Sequence, residues 1–353
     1  MFFLNILIRY LIPILYDSFI ALVLVLFFLF IFRIKDPNIR ISFFILPLIK
    51  PFIVIAERID INKIYFQYNK SLFGFRIPDP ANFLRINESS LFNLLINFKT
   101  DIIITIIISC LILIFLCLRW INLAIFYKKL AYEEKVSKKD IPEIYEIIEN
   151  FTKKIKTKSP DVSLTYKKCI TPFIVGLKNF TLVFSPNLIE ILEKSEKETL
   201  IQHELCHIKR KDNLIGWIAL ILRDLNFFNP FAYISYFLIR TEQEKACDLL
   251  ILKYSNKTGK EVAKDILNSI LKLKLTIGPN SHLIPVASSP FSLSKLFGQR
   301  RLENRINSIL LNENKKLEAK FVTKFFLYCL FVFLLLLQII ITLKIGNFIL
   351  VLR

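Results

Sequence analysis

Glycine is scarce: 7 residues in a chain of 353. Gly-rich phosphate loops need several glycines at fixed offsets, and neither a dinucleotide fingerprint nor a Walker loop is present. Cysteine is sparse too. The six cysteines, at 110, 117, 169, 206, 247 and 329, show no paired framework. Three fall in hydrophobic runs and three in the central polar region, which reads as free thiols in a reducing compartment rather than a disulfide scaffold. Acidic residues are the minority charge, 29 against 48 Lys and Arg, for a formal net charge of +19. The basic residues are dispersed over helices and no reader motif accompanies them, so nucleic acid is not an expected direct partner. Lys and Arg collecting on the cytoplasmic face of a membrane and meeting anionic lipid is the better account.

What the chain has in excess is apolar surface: 54% hydrophobic residues and a mean hydropathy of +0.51. That exceeds ordinary soluble domains, and the length allows a core plus several membrane spans. Residues 1–57 hold two apolar segments, 4–32 and 41–57. The first is too long for the apolar core of a signal peptide and reads as a span. The second is short and interrupted by Pro47, Lys50 and Pro51; it is a span or an interfacial or re-entrant helix, with the span preferred. Between them Arg33, Lys35 and Arg40 make a basic turn. Residues 58–100 read as an extracytoplasmic loop, 101–121 as the clearest span, ended by Arg119 and Trp120, and 325–345 as the last span, with 346–353 as a tail. The positive-inside rule puts the turn at 33–40 and the basic stretch after 121 in the cytoplasm. Segment 122–324 is then a cytoplasmic domain and the C-terminus is extracytoplasmic. If 41–57 does not span, only the N-terminus changes side.

Within 122–324 the patterning is that of a soluble domain. Residues 140–157 read as an amphipathic helix and 163–184 as two or three strands. Strand 170–176 could pair with an extended substrate. Residues 214–239 are as apolar as a span but carry Arg223, Asp224 and Asn229-Pro230 in the middle. They read as a helical hairpin half-sunk in the membrane face or packed on the spans, beside the functional site.

That site centres on His203-Glu204-Leu205-Cys206-His207. The surrounding stretch reads as a helix, with Ser195 as N-cap and Glu198 completing a capping box. Positions i and i+4 share a helix face, so His203 and His207 can hold one metal ion, with Glu204 beside them to take a proton from the attacking water. The chain has only three histidines and two lie in this motif. Downstream, Glu244 is the candidate third ligand and Glu242 the competing one on another face. Asp248, one turn after Glu244, can accept a hydrogen bond from a ligand histidine. Arg240 and His282 are candidate oxyanion stabilisers. Cys206 and Cys247 read as small packing residues or, alternatively, as redox-sensitive or metal-competing thiols.

The pattern His203-Glu204-Leu205-Cys206-His207, Asp212, Asn229-Pro230, Glu244 and Cys247-Asp248 resembles the BlaR/MecR family of membrane metallopeptidases. The stretches Thr171–Gly176 and Phe297–Ile306 are similar as well, so the resemblance covers most of residues 100–345. It implies a membrane protein of mainly α-helical transmembrane segments carrying an α+β gluzincin domain. It also implies one Zn2+ per chain, held by His203, His207 and Glu244, with Glu204 as catalytic base and Asp248 behind a ligand. Sensors of that family continue into an extracytoplasmic penicillin-binding domain, whereas this sequence ends at Arg353. A separate sensor protein as partner, or a different signal read by loop 58–100, is therefore expected if the chain is a receptor. Ser292…Lys295 and Lys257-Thr258-Gly259 mimic penicilloyl-serine motifs, in reverse order and on the wrong side of the membrane, and read as coincidence.

The expected activity is regulated proteolysis in signal transduction, acting on a cytoplasmic protein such as a transcriptional repressor or on the chain itself. One alternative is quality control of membrane proteins. Another is a non-enzymatic transmembrane transducer with a structural zinc site, against which the retained Glu204 argues. A homodimer is compatible with any of these.

Overall fold

The computed structural model describes residues 12–58, 68–72, 75–78, 100–166, 172–277, 293–312 and 325–337. In chain order the elements are α1 (Ile12–Ile31), α2 (Pro37–Arg58), the antiparallel hairpin β1 (Tyr68–Leu72) and β2 (Phe75–Pro78), and α3 (Thr100–Ala131). Then come β3 (Glu134–Val136), α4 (Pro142–Ile155), β4 (Asp161–Leu164), β5 (Phe173–Val175) and β6 (Thr181–Phe184). Helices α5 (Pro186–Ile191), α6 (Lys194–Arg210), α7 (Asp212–Leu225), α8 (Pro230–Tyr254), α9 (Gly259–Ile277), α10 (Leu293–Asn312) and α11 (Phe325–Leu337) follow.

Two described helices are long and apolar enough to cross a membrane, Ile14–Ile31 and Ser109–Ala131. The second is almost uncovered by the rest of the protein, and Leu111, Ile114, Phe115 and Leu118 point outward. An apolar helix left so largely uncovered by protein calls for lipid as its solvent. Helix α2 differs. It is wedged against α1 and α8, with Phe43, Phe44 and Leu48 fully buried, although Pro47 and Pro51 lie inside it. With Ala219 and Leu220 of α7, Ala232, Tyr236 and Ile239 of α8, and Leu327 and Leu334 of α11, these residues form one apolar core.

The helix of α3 continues past Arg119 and Trp120, which close its apolar run, to Ala131. Both residues find a buried partner. Trp120 Nε1 donates to Asp224 Oδ2 at 3.0 Å, and Arg119 lies 3.1 Å from the same oxygen. Asp224 also accepts from Arg223 Nε (2.9 Å), and the Arg223 guanidinium sits 4.4 Å from the Tyr236 ring centroid. A charge buried in an apolar core persists only when it is paired in this way.

The polar domain has its own core. Ile144, Ile148, Phe151 and Ile155 line one face of α4 at helical spacing and meet Val162, Leu182, Ile201 and Leu205. The sheet order is β3-β4-β6-β5. Strands β4 and β6 are parallel, and the two edges pair antiparallel. The turn after β5 needs Gly176, which has φ +107°; a Cβ there would stand 2.0 Å from the Asn179 carbonyl oxygen.

Helix α6 begins two residues earlier than the Ser195 cap predicts. Glu193 is the N-cap, and the Glu196 side chain accepts from the Glu193 backbone N–H at 3.0 Å. The Ser195 hydroxyl instead donates to Asp265 Oδ2 of α9 at 2.8 Å. Lys257 binds the same cluster, donating to Asp265 (2.9 Å) and Thr199 (2.8 Å), which gives it a structural role in place of any penicilloyl-serine motif.

Candidate metal centre

Helix α6 presents His203 and His207 on one face, and both are nearly buried, at 5% and 9% exposure. Their rings meet edge to face with centroids 5.1 Å apart. Helix α8 crosses α6 and brings Glu244 to the same point. Glu244 Oε2 is 3.3 Å from His203 Nε2, and Oε1 is 4.0 Å from His207 Nε2. One ligand atom from each of the three residues lies within 4.8 Å of the others. Two imidazole nitrogens and a carboxylate oxygen form a donor set that suits zinc.

Each imidazole has a carboxylate beside its Nδ1. His203 Nδ1 lies 3.1 Å from Asp248 Oδ1, one turn beyond Glu244. His207 Nδ1 lies 2.9 Å from Asp212 Oδ2. Both rings are thereby turned so that Nε2 faces Glu244. Asp212 has no assigned role in the sequence reading. It reaches back under His207 because Lys211 adopts a left-handed conformation (φ 57°) that ends α6 and folds α7 against it. Arg210 Nε donates to Asp212 at 3.0 Å as well.

The electrostatics follow from these contacts. Burial disfavours a charged His203, but Asp248 and Glu244 outweigh it and hold the ring's pKa up at about 10. The same carboxylates that attract this positive charge would attract a divalent cation. Burial also opposes the charge on Glu244, yet the hydrogen bond from His203 and the Arg305 guanidinium keep its carboxyl well below the usual range. Glu204 is half-buried, and burial pushes its carboxyl up.

The remaining predicted residues separate clearly. Glu242 turns away and pairs with Arg40 and Lys245, each at 3.0 Å. Arg240 sits one turn before Glu244, 4.0 Å from its Oε1, and donates to Gln243. His282 lies outside the described residues. Cys206 and Cys247 are fully buried, and burial raises both thiols well above their ordinary range. Cys247 Sγ lies 3.2 Å from His207 Nδ1, and with Asp212 these residues form a second group able to hold a metal. Arg305, also without a role in the sequence reading, contacts both Asp248 and Glu244 from α10.

A cavity of about 90 Å³ lies beside the centre, lined by Tyr127, Phe173, Val175, Trp217, Tyr236 and Arg240. Its wall includes the open edge of β5. Two backbone carbonyls there, Ile174 and Gly176, accept from the Asn213 side chain at 3.2 and 2.9 Å.

The family described as BlaR1 peptidase M56 matches residues 88–305, more than half of the chain. Among curated proteins, the methicillin resistance mecR1 protein of Staphylococcus aureus is 32% identical over 101 residues, 26% of this chain and 17% of that protein. Regulatory protein BlaR1 of Bacillus licheniformis is 29% identical over 125 residues, 35% of this chain and 20% of that protein. A protease HtpX homolog of Thermococcus sibiricus is 30% identical over 94 residues, 26% of this chain and 32% of that one. The chain thus spans a third or less of the length of each of these relatives.

Proposed function

The chain belongs to the BlaR1 peptidase M56 family, and on that premise we propose that it is an integral-membrane zinc endopeptidase built on His203, His207, Glu244 and Glu204. The observation that carries this reading is the convergence of the three ligand atoms within 4.8 Å of one another, with a carboxylate beside the Nδ1 of each imidazole. Zinc bound there supplies a Lewis acid that acidifies water and polarises a carbonyl. Glu204 accepts the proton of the attacking water at its carboxylate and delivers it to the leaving amine. Its burial-raised pKa suits a group that must take up and release a proton in one cycle. Asp248 and Asp212 keep each ring in the tautomer that presents Nε2. Arg240 lines the cavity and lies 4.0 Å from Glu244 Oε1; in this reading it donates to a substrate carbonyl or its oxyanion.

The catalytic side is cytoplasmic in this reading. Supporting it, the basic turn at 33–40 meets the peptidase domain: Arg40 pairs with Glu242 at 3.0 Å, and Arg210 donates to Asn38. The positive-inside rule assigns that turn to the cytoplasm. The substrate is a cytoplasmic protein, such as a transcriptional repressor, or the chain itself, with a separate sensor protein relaying the signal. Similarity to proteins named for methicillin resistance and for regulation supports the signalling role. A second reading, quality control of membrane proteins, is favoured by the apolar cavity walled by Tyr127 near the end of α3, a candidate span.

Glu204→Gln in the full chain should retain zinc and lose cleavage by several orders of magnitude, read by metal analysis and by the accumulation of uncleaved protein. Cleavage at the wild-type rate would sink the mechanism. The accumulating species separates the two roles: one regulator, or many membrane proteins.

A further inference from the structure

Helix α10 sends one side chain into the metal centre. Arg305 Nε donates to Asp248 Oδ2 at 2.9 Å, and a terminal nitrogen donates to Oδ1 at 2.8 Å. Its other terminal nitrogen lies 3.3 Å from Glu244 Oε2, the oxygen that also stands 3.3 Å from His203 Nε2. The fork of a planar guanidinium fixes a carboxylate in orientation as well as in position. Asp248 and Glu244 meet His203 at its two opposite nitrogens, so a single arginine sets both groups that orient this ring. Arg305 belongs to neither α6 nor α8. Leu302, Ile306 and Ile309 seat α10 on the core of the peptidase domain, and α10 packs on α8 and α9.

We propose that Arg305 is a positioning residue of the metal centre: it orients Asp248 and Glu244, and so makes metal affinity depend on the seating of α10. The inference rests on the zinc reading above. Its sign is informative. A positive charge next to a cation site weakens binding by repulsion. If charge alone mattered, removing Arg305 would tighten the site. If orientation dominates, removing it loosens the site.

The test is zinc affinity of the full chain, measured by competition with a chromophoric chelator, for wild type, Arg305→Lys, Arg305→Gln, Asp248→Asn and the Arg305→Gln/Asp248→Asn pair. Arg305→Gln should bind zinc ~10–100-fold more weakly, the range for partners behind a ligand. Arg305→Lys keeps the charge without the fork and should fall between wild type and Arg305→Gln. The double variant should be less weakened than the product of the two singles, because the substitutions share the Asp248 carboxylate while Arg305 keeps a further contact of its own with Glu244. Unchanged or tighter binding by Arg305→Gln, or full additivity in the cycle, overturns the proposal. Should Arg305→Gln not fold, Arg305→Lys decides: weaker binding supports positioning and wild-type binding overturns it. A wild-type chain that binds no zinc overturns the underlying reading and this one with it.

Discussion

Both nitrogens of each imidazole at the centre face a carboxylate. On one side Nε2 faces Glu244; on the other Nδ1 faces Asp248 or Asp212. The motif residues were legible because i and i+4 on a helix face the same way, and Glu244 and Asp248 repeat that spacing on α8. Asp212 was not legible as a site residue, since its place under His207 depends on the left-handed Lys211 that reverses the chain. Arg305 was hidden by distance: its partner Asp248 is 57 positions away. The Asp212 contact makes a prediction. Asp212→Asn should weaken zinc binding by ~10–100-fold, the same range as other partners that hold a metal-binding histidine. Isothermal titration or chelator competition would show this, and unaltered affinity would leave Asp212 as a turn residue only.

At the scale of elements, hydropathy located the apolar helices, and Arg119 and Trp120 close the apolar run of α3; the helix itself continues to Ala131, with both side chains on Asp224 of α7. Local capping rules placed the start of α6 at Ser195, whose hydroxyl is instead drawn to Asp265 on α9. A side chain with a tertiary partner is no longer available to cap its own helix. That α6–α9 contact carries a pH dependence. Burial opposes the charge on Asp265, but bonds from Thr199, Lys257 and Ser195 prevail and lower its pKa from 3.8. A carboxylate depressed on folding contributes stability that is fully present above its unfolded value and is lost as pH falls through its folded value. Wild type should therefore lose more thermal stability than Asp265→Asn between about pH 5 and about pH 3. Parallel loss in the two proteins would show that this contact is unimportant in acid.

At the scale of the whole molecule, α8 runs from one apolar core into the other. Ala219, Ala232 and Ile239 face the apolar helices, while Cys247 and Ile251, further along α8, enter the core of the peptidase domain. One helix thus joins the apolar bundle to Glu244 and Asp248 of the candidate metal centre. The proposed orientation predicts that cysteine placed at Ser71, in the β1–β2 hairpin, reacts with a membrane-impermeant maleimide on intact cells, and that cysteine at Lys138 reacts only after permeabilisation. The reverse pattern would invert the topology. Everything else depends on which cluster takes the metal. Anomalous scattering at the zinc edge from crystals of the full chain should show one peak bounded by His203 Nε2, His207 Nε2 and Glu244. A peak at His207, Asp212 and Cys247, the other group able to hold an ion, or no peak in zinc-loaded protein, would contradict the account.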